Sequence, residues 1–145
     1  MAAPQDRTAP IKTRKFVFLL LDQFSLVPFS SAMDALRIAN RFDKTPRYSW
    51  TIASETGDPV ACSNGTKVVA DMGLSEISRD DTVMICGGLE IDRTSSKPVM
   101  NWLRREARKG VSIGGLCTGA HTMAKAGLLD GKKCTIHWEN YDSFT

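Results

Sequence analysis

Short unbroken apolar runs alternate along this chain with longer stretches in which apolar residues recur every three or four positions. "KFVFLLL" (15–21) is continuous, as expected of a strand covered on both faces. "YSWTIASE" (48–55) alternates and is rich in strand-forming residues. "DTVMICGG" (81–88) is a further buried strand and "VSIGGLC" (111–117) a short strand, each running into glycines. Helical spacing appears between them. "SSAMDALRIANRF" (30–42) predicts a helix capped by Ser30 or Ser31, with Met33, Leu36, Ile38 and Ala39 on its apolar face. "KPVMNWLRREARKG" (97–110) has Pro98 in its first turn, a stripe of Trp102, Leu103 and Ala107, and Gly110 as its stop. "TGAHTMAKAG" (118–127) predicts a short helix closed by Gly127.

The connecting segments carry turn chemistry. Residues 22–31, broken by Pro28, read as a loop. Asn64-Gly65 lies between two short extended pieces and predicts a hairpin beside the main sheet or at its edge. Asp130-Gly131 turns the chain into a further strand around Lys133 to Ile136. Residues 1–14 are polar, lack periodicity and predict a disordered lead-in. Strands that alternate with helices predict an α/β fold, a mainly parallel sheet with helices on both faces. Sites in such sheets form beyond the carboxyl ends of strands. Three loops carry unusual residues there: Asp22 to Pro28, Gly87-Gly88, and Gly115 to Gly119. All three follow strands, so all three can converge on one edge.

Composition narrows the class. A chain of 145 residues suits one domain with a sizeable core. The net charge of +3 owes much to Arg7, Lys12, Arg14 and Lys15, which face only Asp6 in the first fifteen residues. That pattern is a solvated tail rather than a nucleic-acid surface. No run approaches the roughly 18 to 20 apolar residues of a membrane span, and the N-terminus lacks the apolar core of a signal peptide. The expected setting is the cytoplasm, with no membrane partner. Cys62, Cys86, Cys117 and Cys134 are widely spaced, without C-x-x-C, and only two histidines accompany them. That excludes a zinc-ligand pattern and predicts free thiols, no metal and no cofactor.

The candidate chemistry centres on Gly115-Leu116-Cys117-Thr118-Gly119. It fits the G-x-nucleophile-x-G pattern of a nucleophile elbow, a sharp strand-to-helix turn flanked by glycines because side chains there would clash. A plain tight turn around a small buried thiol is the other reading. Gly87 and Gly88 can bring backbone N–H groups near the same point. His137 follows the last predicted strand and is either a partner across the pocket or a loop histidine bonded to backbone. His121 reads as a helix-surface or core-edge residue. Asp22, Asp34, Glu90 and Asp92 lie in the right loops, but each reads more simply as a cap, turn or surface charge, so no Cys-His-acid triad can be assembled. Phe24, Phe29 and Trp138 are either core or a face for an ammonium group.

These residues, above all "GGLCTGAHTMAKAGLLDGKKCTIHWE" together with "FVFLLLDQFSLVPFSSAMDALRIANR" and "VMICGG", resemble the amino-terminal domain of a group of AraC-family transcriptional regulators. That domain is similar to the class I glutamine amidotransferase-like fold of the ThiJ/PfpI superfamily. The resemblance runs from about Lys15 to Thr145. It implies a flavodoxin-like three-layer sandwich with an elbow cysteine, commonly a homodimer, that senses a small nitrogen-containing metabolite such as an amino acid, a betaine or a carnitine-like amine. DNA contact would belong to a carboxy-terminal helix-turn-helix domain, and no such pattern occurs in these residues. The α/β domain itself would be incomplete at its C-terminus. Cys117 matches the superfamily's elbow cysteine, Gly88 its oxyanion-side glycine, and His137 a histidine that faces the elbow. Two departures stand out. The glutamate that enzymes of the superfamily place in the first strand-to-helix loop is missing from "DQFSLVPFSS", and Thr118 stands where PfpI-type proteases have histidine. The expectation is therefore a ligand pocket of Gly87, Gly88, Cys117, Thr118 and His137 without turnover. The alternative is a cysteine-dependent ThiJ/PfpI-type hydrolase or amidase.

Overall fold

The structure, a computed structural model, describes residues 10–144; the expectation for residues 1–9 lies outside them. Four parallel strands form the central sheet: β1 (Arg14–Leu20), β2 (Tyr48–Ala53), β5 (Thr82–Cys86) and β6 (Ser112–Leu116), in the order β2-β1-β5-β6. The register aligns Phe16 with Trp50 and with Thr82, and Val83 with Ile113. β3 (Val60–Ala61) and β4 (Lys67–Val68) form the hairpin read from Asn64-Gly65 as a separate antiparallel pair. Gly65 supplies the positive φ of that turn, and Asn64 Oδ1 accepts the Thr66 N–H at 2.9 Å.

Because side chains alternate along a strand, β1 and β5 feed two cores. Val17, Leu19, Val83 and Ile85 pack with Val99, Trp102 and Leu103 of α3 (Lys97–Lys109) and with Ile91 of α2 (Ile91–Thr94). Phe18, Leu20 and Cys86 pack on the other face with Phe24 and Phe29, beneath α1 (Leu26–Asn40). Met123 of α4 (Gly119–Lys125) joins the α3 side. The result is the three-layer α/β sandwich expected from the alternation. The strand order reverses at β1, which opens a crevice at the carboxyl ends of β1 and β5. Among the described residues no helix is long and apolar enough to cross a membrane.

Three expectations are corrected. The first helix begins at Leu26, not at Ser30 or Ser31, and Ser25 is its N-cap residue. Pro28 sits in the first turn, where its missing N–H costs no hydrogen bond. This places Phe29 in the core, while Ile38 faces solvent. Lys133 to Ile136 is irregular rather than a strand. Residues 131–135 are exposed, with no neighbouring strand to complete a ladder, and strand propensity without such packing decides little. The short α2 was not foreseen; four residues are too few to show a helical period. The described residues end with a 3-10 turn, Trp138–Asn140, and a last helical turn, α5 (Tyr141–Phe144).

Candidate functional site

The three loops do converge. Ser25 N–H donates to the Gly87 carbonyl at 3.0 Å, and Thr118 Oγ1 donates to the Gly88 carbonyl at 2.8 Å. These bonds tie the loop after β1 and the turn after β6 to the end of β5. A Cβ on Gly88 would overlap the Gln23 carbonyl oxygen, and one on Gly119 would overlap that of Ile85. Glycine at both positions is a condition of this close approach.

Cys117 occupies the turn between β6 and α4 with a φ of 54°, in the left-handed region, and is half-buried. Gln23 (62°) and Glu90 (50°) share that conformation, and no other non-glycine residue does among those described. All three lie just past the carboxyl ends of β1, β5 and β6, so strain is concentrated at this edge. α4 is anchored from behind. Its Thr122 Oγ1 lies 2.8 Å from Ser95 Oγ in a buried contact, and His121 Nε2 lies 2.9 Å from Asp92 Oδ1. His121 is thus a buried core-edge residue that positions the helix.

The group over the Cys117 thiol is a hydroxyl: Ser25 Oγ lies 3.5 Å from Sγ. Ser25 makes no side-chain cap bond; its hydroxyl faces the cysteine instead of the helix terminus. Sequence reasoning missed this residue because it placed the helix start five residues late. The carboxylates that the sequence places in these loops are held by basic side chains. Asp34 pairs with Arg37 at 2.6 Å, and Arg93 takes Glu90 at 2.6 Å and Asp22 at 3.3 Å. Cys86, at the end of the neighbouring strand, is fully buried, and burial pushes its thiol up to about 12, which makes it inert.

A cavity of about 230 Å³ brings together Gly88, Cys117, Thr118 and His137 with Ser25, Leu89, Glu90, Glu139 and Asn140. A second, more open space of about 440 Å³ shares Ser25, Cys117 and His137 and continues along Pro28 and Asn64. Gly87 lines neither; its carbonyl is taken by Ser25 and its N–H points to the Leu116 carbonyl at 3.4 Å. The Thr118 hydroxyl is spent on Gly88. Phe24 and Phe29 are core, edge to face at 5.6 Å, and Trp138 is 77% exposed and stacks on His137 at 5.9 Å. Among the described residues no three His, Cys, Asp or Glu side chains are grouped to hold a metal ion.

This architecture, a parallel sandwich with a strained cysteine between strand and helix, defines a class, and the comparisons agree. The DJ-1/PfpI family profile matches residues 14–144, and the chain belongs to that family. Within it, the similarity runs to transcriptional regulators. The HTH-type regulator CdhR of Pseudomonas aeruginosa is 42% identical over 132 residues, covering 91% of this chain and 39% of CdhR. The HTH-type regulator GlxA of Rhizobium meliloti is 38% identical over 141 residues, covering 97% of this chain and 43% of GlxA. The crystal structure of an AraC family transcriptional regulator from Pseudomonas putida superposes with a TM-score of 0.76 at 33% identity, covering 90% of this chain and 70% of that one. The chain therefore spans about two fifths of the length of the curated regulators it matches.

Proposed function

We propose that this chain is the ligand-sensing domain of an AraC-family regulator and binds a small nitrogen-containing metabolite (an amino acid, betaine or carnitine-like amine) in the cavity at Cys117. The observation that carries this reading is the hydroxyl of Ser25 against the thiol, where a proton-transferring carboxylate would be needed for turnover. Similarity to HTH-type regulators supports the same assignment. Gly88, Cys117, Thr118 and His137 form the binding wall in this proposal, with Gly87 holding it from behind. DNA contact belongs to a separate domain, and the working form is a homodimer. A ligand here would act by favouring one arrangement of the strained loops over another, so its effect is bounded by its differential affinity for the two.

The test is a thermal-shift and calorimetric screen of the folded chain against small amines and carboxylate-bearing amines. Binding that survives Cys117→Ala supports sensing; no binding by any of them overturns it. The hydrolase or amidase reading rests on one observation, the strained, half-exposed Cys117. It requires Cys117 to alkylate ahead of Cys62, Cys86 and Cys134, and Cys117→Ser to abolish a measurable hydrolysis.

A further inference from the structure

The chain carries 19 lysines and arginines and a net charge of +3, yet among the described residues none of these cations lines either space against Cys117. The charges that do line the cavity are two carboxylates, Glu90 and Glu139. Glu90 is neutralised from outside, since Arg93 binds its Oε2 at 2.6 and 3.0 Å. Glu139 has no lysine or arginine partner among the described residues; its nearest basic atom is His137 Nδ1, at 3.8 Å. The Glu139 N–H donates to the same nitrogen at 3.4 Å.

We infer that Glu139 is the residue that reads a positive charge on the ligand, so the Cys117 cavity selects ammonium-bearing molecules over uncharged or purely anionic ones of the same shape. The inference rests on the sensing function proposed above and adds its selection rule. The 3-10 turn Trp138–Asn140 sets Glu139 on the cavity wall. A ligand cation there meets a carboxylate that no described lysine or arginine holds, 59% exposed at the cavity mouth, where one ion pair is a modest but measurable preference. A carboxylate at the same point meets like charge, which disfavours it by a similar margin.

The experiment uses the whole chain and two pairs of probes that differ only by nitrogen for carbon: betaine against 3,3-dimethylbutanoate, and choline against 3,3-dimethyl-1-butanol. Affinities are measured by calorimetry for the parent and for Glu139→Gln, with melting temperatures to show that both fold. The expected result is a preference of roughly three- to tenfold for the ammonium-bearing member of each pair in the parent, lost in Glu139→Gln. A preference that persists in Glu139→Gln, or equal binding of both members in the parent, overturns the role of Glu139 and leaves the sensing site standing. If no probe binds the parent, the ammonium-binding site itself falls, and this inference with it.

Discussion

α3 and the carboxyl edge of the sheet are built by opposite rules. In α3 each local signal agrees with the fold. Ser96 caps the helix by accepting the Val99 N–H, Pro98 lies in the first turn, and Gly110 closes it with a φ of 100°. Its buried stripe of Val99, Trp102 and Leu103 faces the core. At the carboxyl edge the same rules are broken. Ser25 begins a helix without capping it, and Gln23, Glu90 and Cys117 hold conformations that favour glycine. Each such residue costs on the order of 1 kcal/mol or more, which the surrounding packing must offset. Departure from local consistency is a better guide to the site than any single motif.

The sharpest way to break this comparison is Gly88→Ala. The added methyl would collide with the Gln23 carbonyl and with Phe24 backbone atoms at 2.8 Å. The expected loss is about 3 kcal/mol in chemical denaturation, with the Cys117 cavity disrupted. A loss below about 1 kcal/mol would show that the edge is loose rather than strained.

The α3 side has one exception to its apolar rule. Glu106 is completely buried, ion-paired with Lys109 at 2.7 Å, and accepts from Arg105 Nε at 3.1 Å. Burial pushes its carboxyl up, but Lys109 and Arg105 outweigh burial and hold it below the ordinary value of 4.5. A carboxyl depressed in the folded state stabilises above its unfolded value and ceases to do so as the pH falls through its folded value. Stability should therefore decline below about pH 4.5, and Glu106→Gln should flatten that part of the profile. The same change should cost about 2 kcal/mol at neutral pH, since it leaves two cations without their shared partner. An unchanged acid limb in the variant would remove Glu106 from the account.

Relief of strain should run the other way. Cys117→Gly should stabilise the fold by about 1 kcal/mol, because glycine adopts this φ freely, while weakening ligand binding. A melting temperature that fell instead would mean that thiol packing exceeds the strain. The smallest contrast lies in the two cap serines. Ser96→Ala should cost about 1 kcal/mol and Ser25→Ala only a few tenths, because only Ser96 holds a helix N–H. Equal costs would end the distinction between the two regions.

By itself the sequence determined the layers. Unbroken apolar runs and the alternating stretch of β2 became strands of the sheet, Pro98 and Gly110 bounded α3, Asn64-Gly65 became the hairpin, and Gly-x-Cys-x-Gly marked the elbow. These are local or periodic signals, and backbone sterics with side-chain alternation turn them directly into structure. Tertiary structure decided what stands around the cysteine. Ser25 reaches Cys117 across 92 positions of sequence, and Thr118 reaches Gly88 across 30. It also decided that Lys133 to Ile136, strand-like in composition, stays irregular, and that α1 starts at Leu26 so that Phe29 enters the core. The reason is the same in each case: a partner supplied by another strand or loop outweighs a preference worth a few tenths of a kcal/mol per residue, and no window of sequence contains that partner.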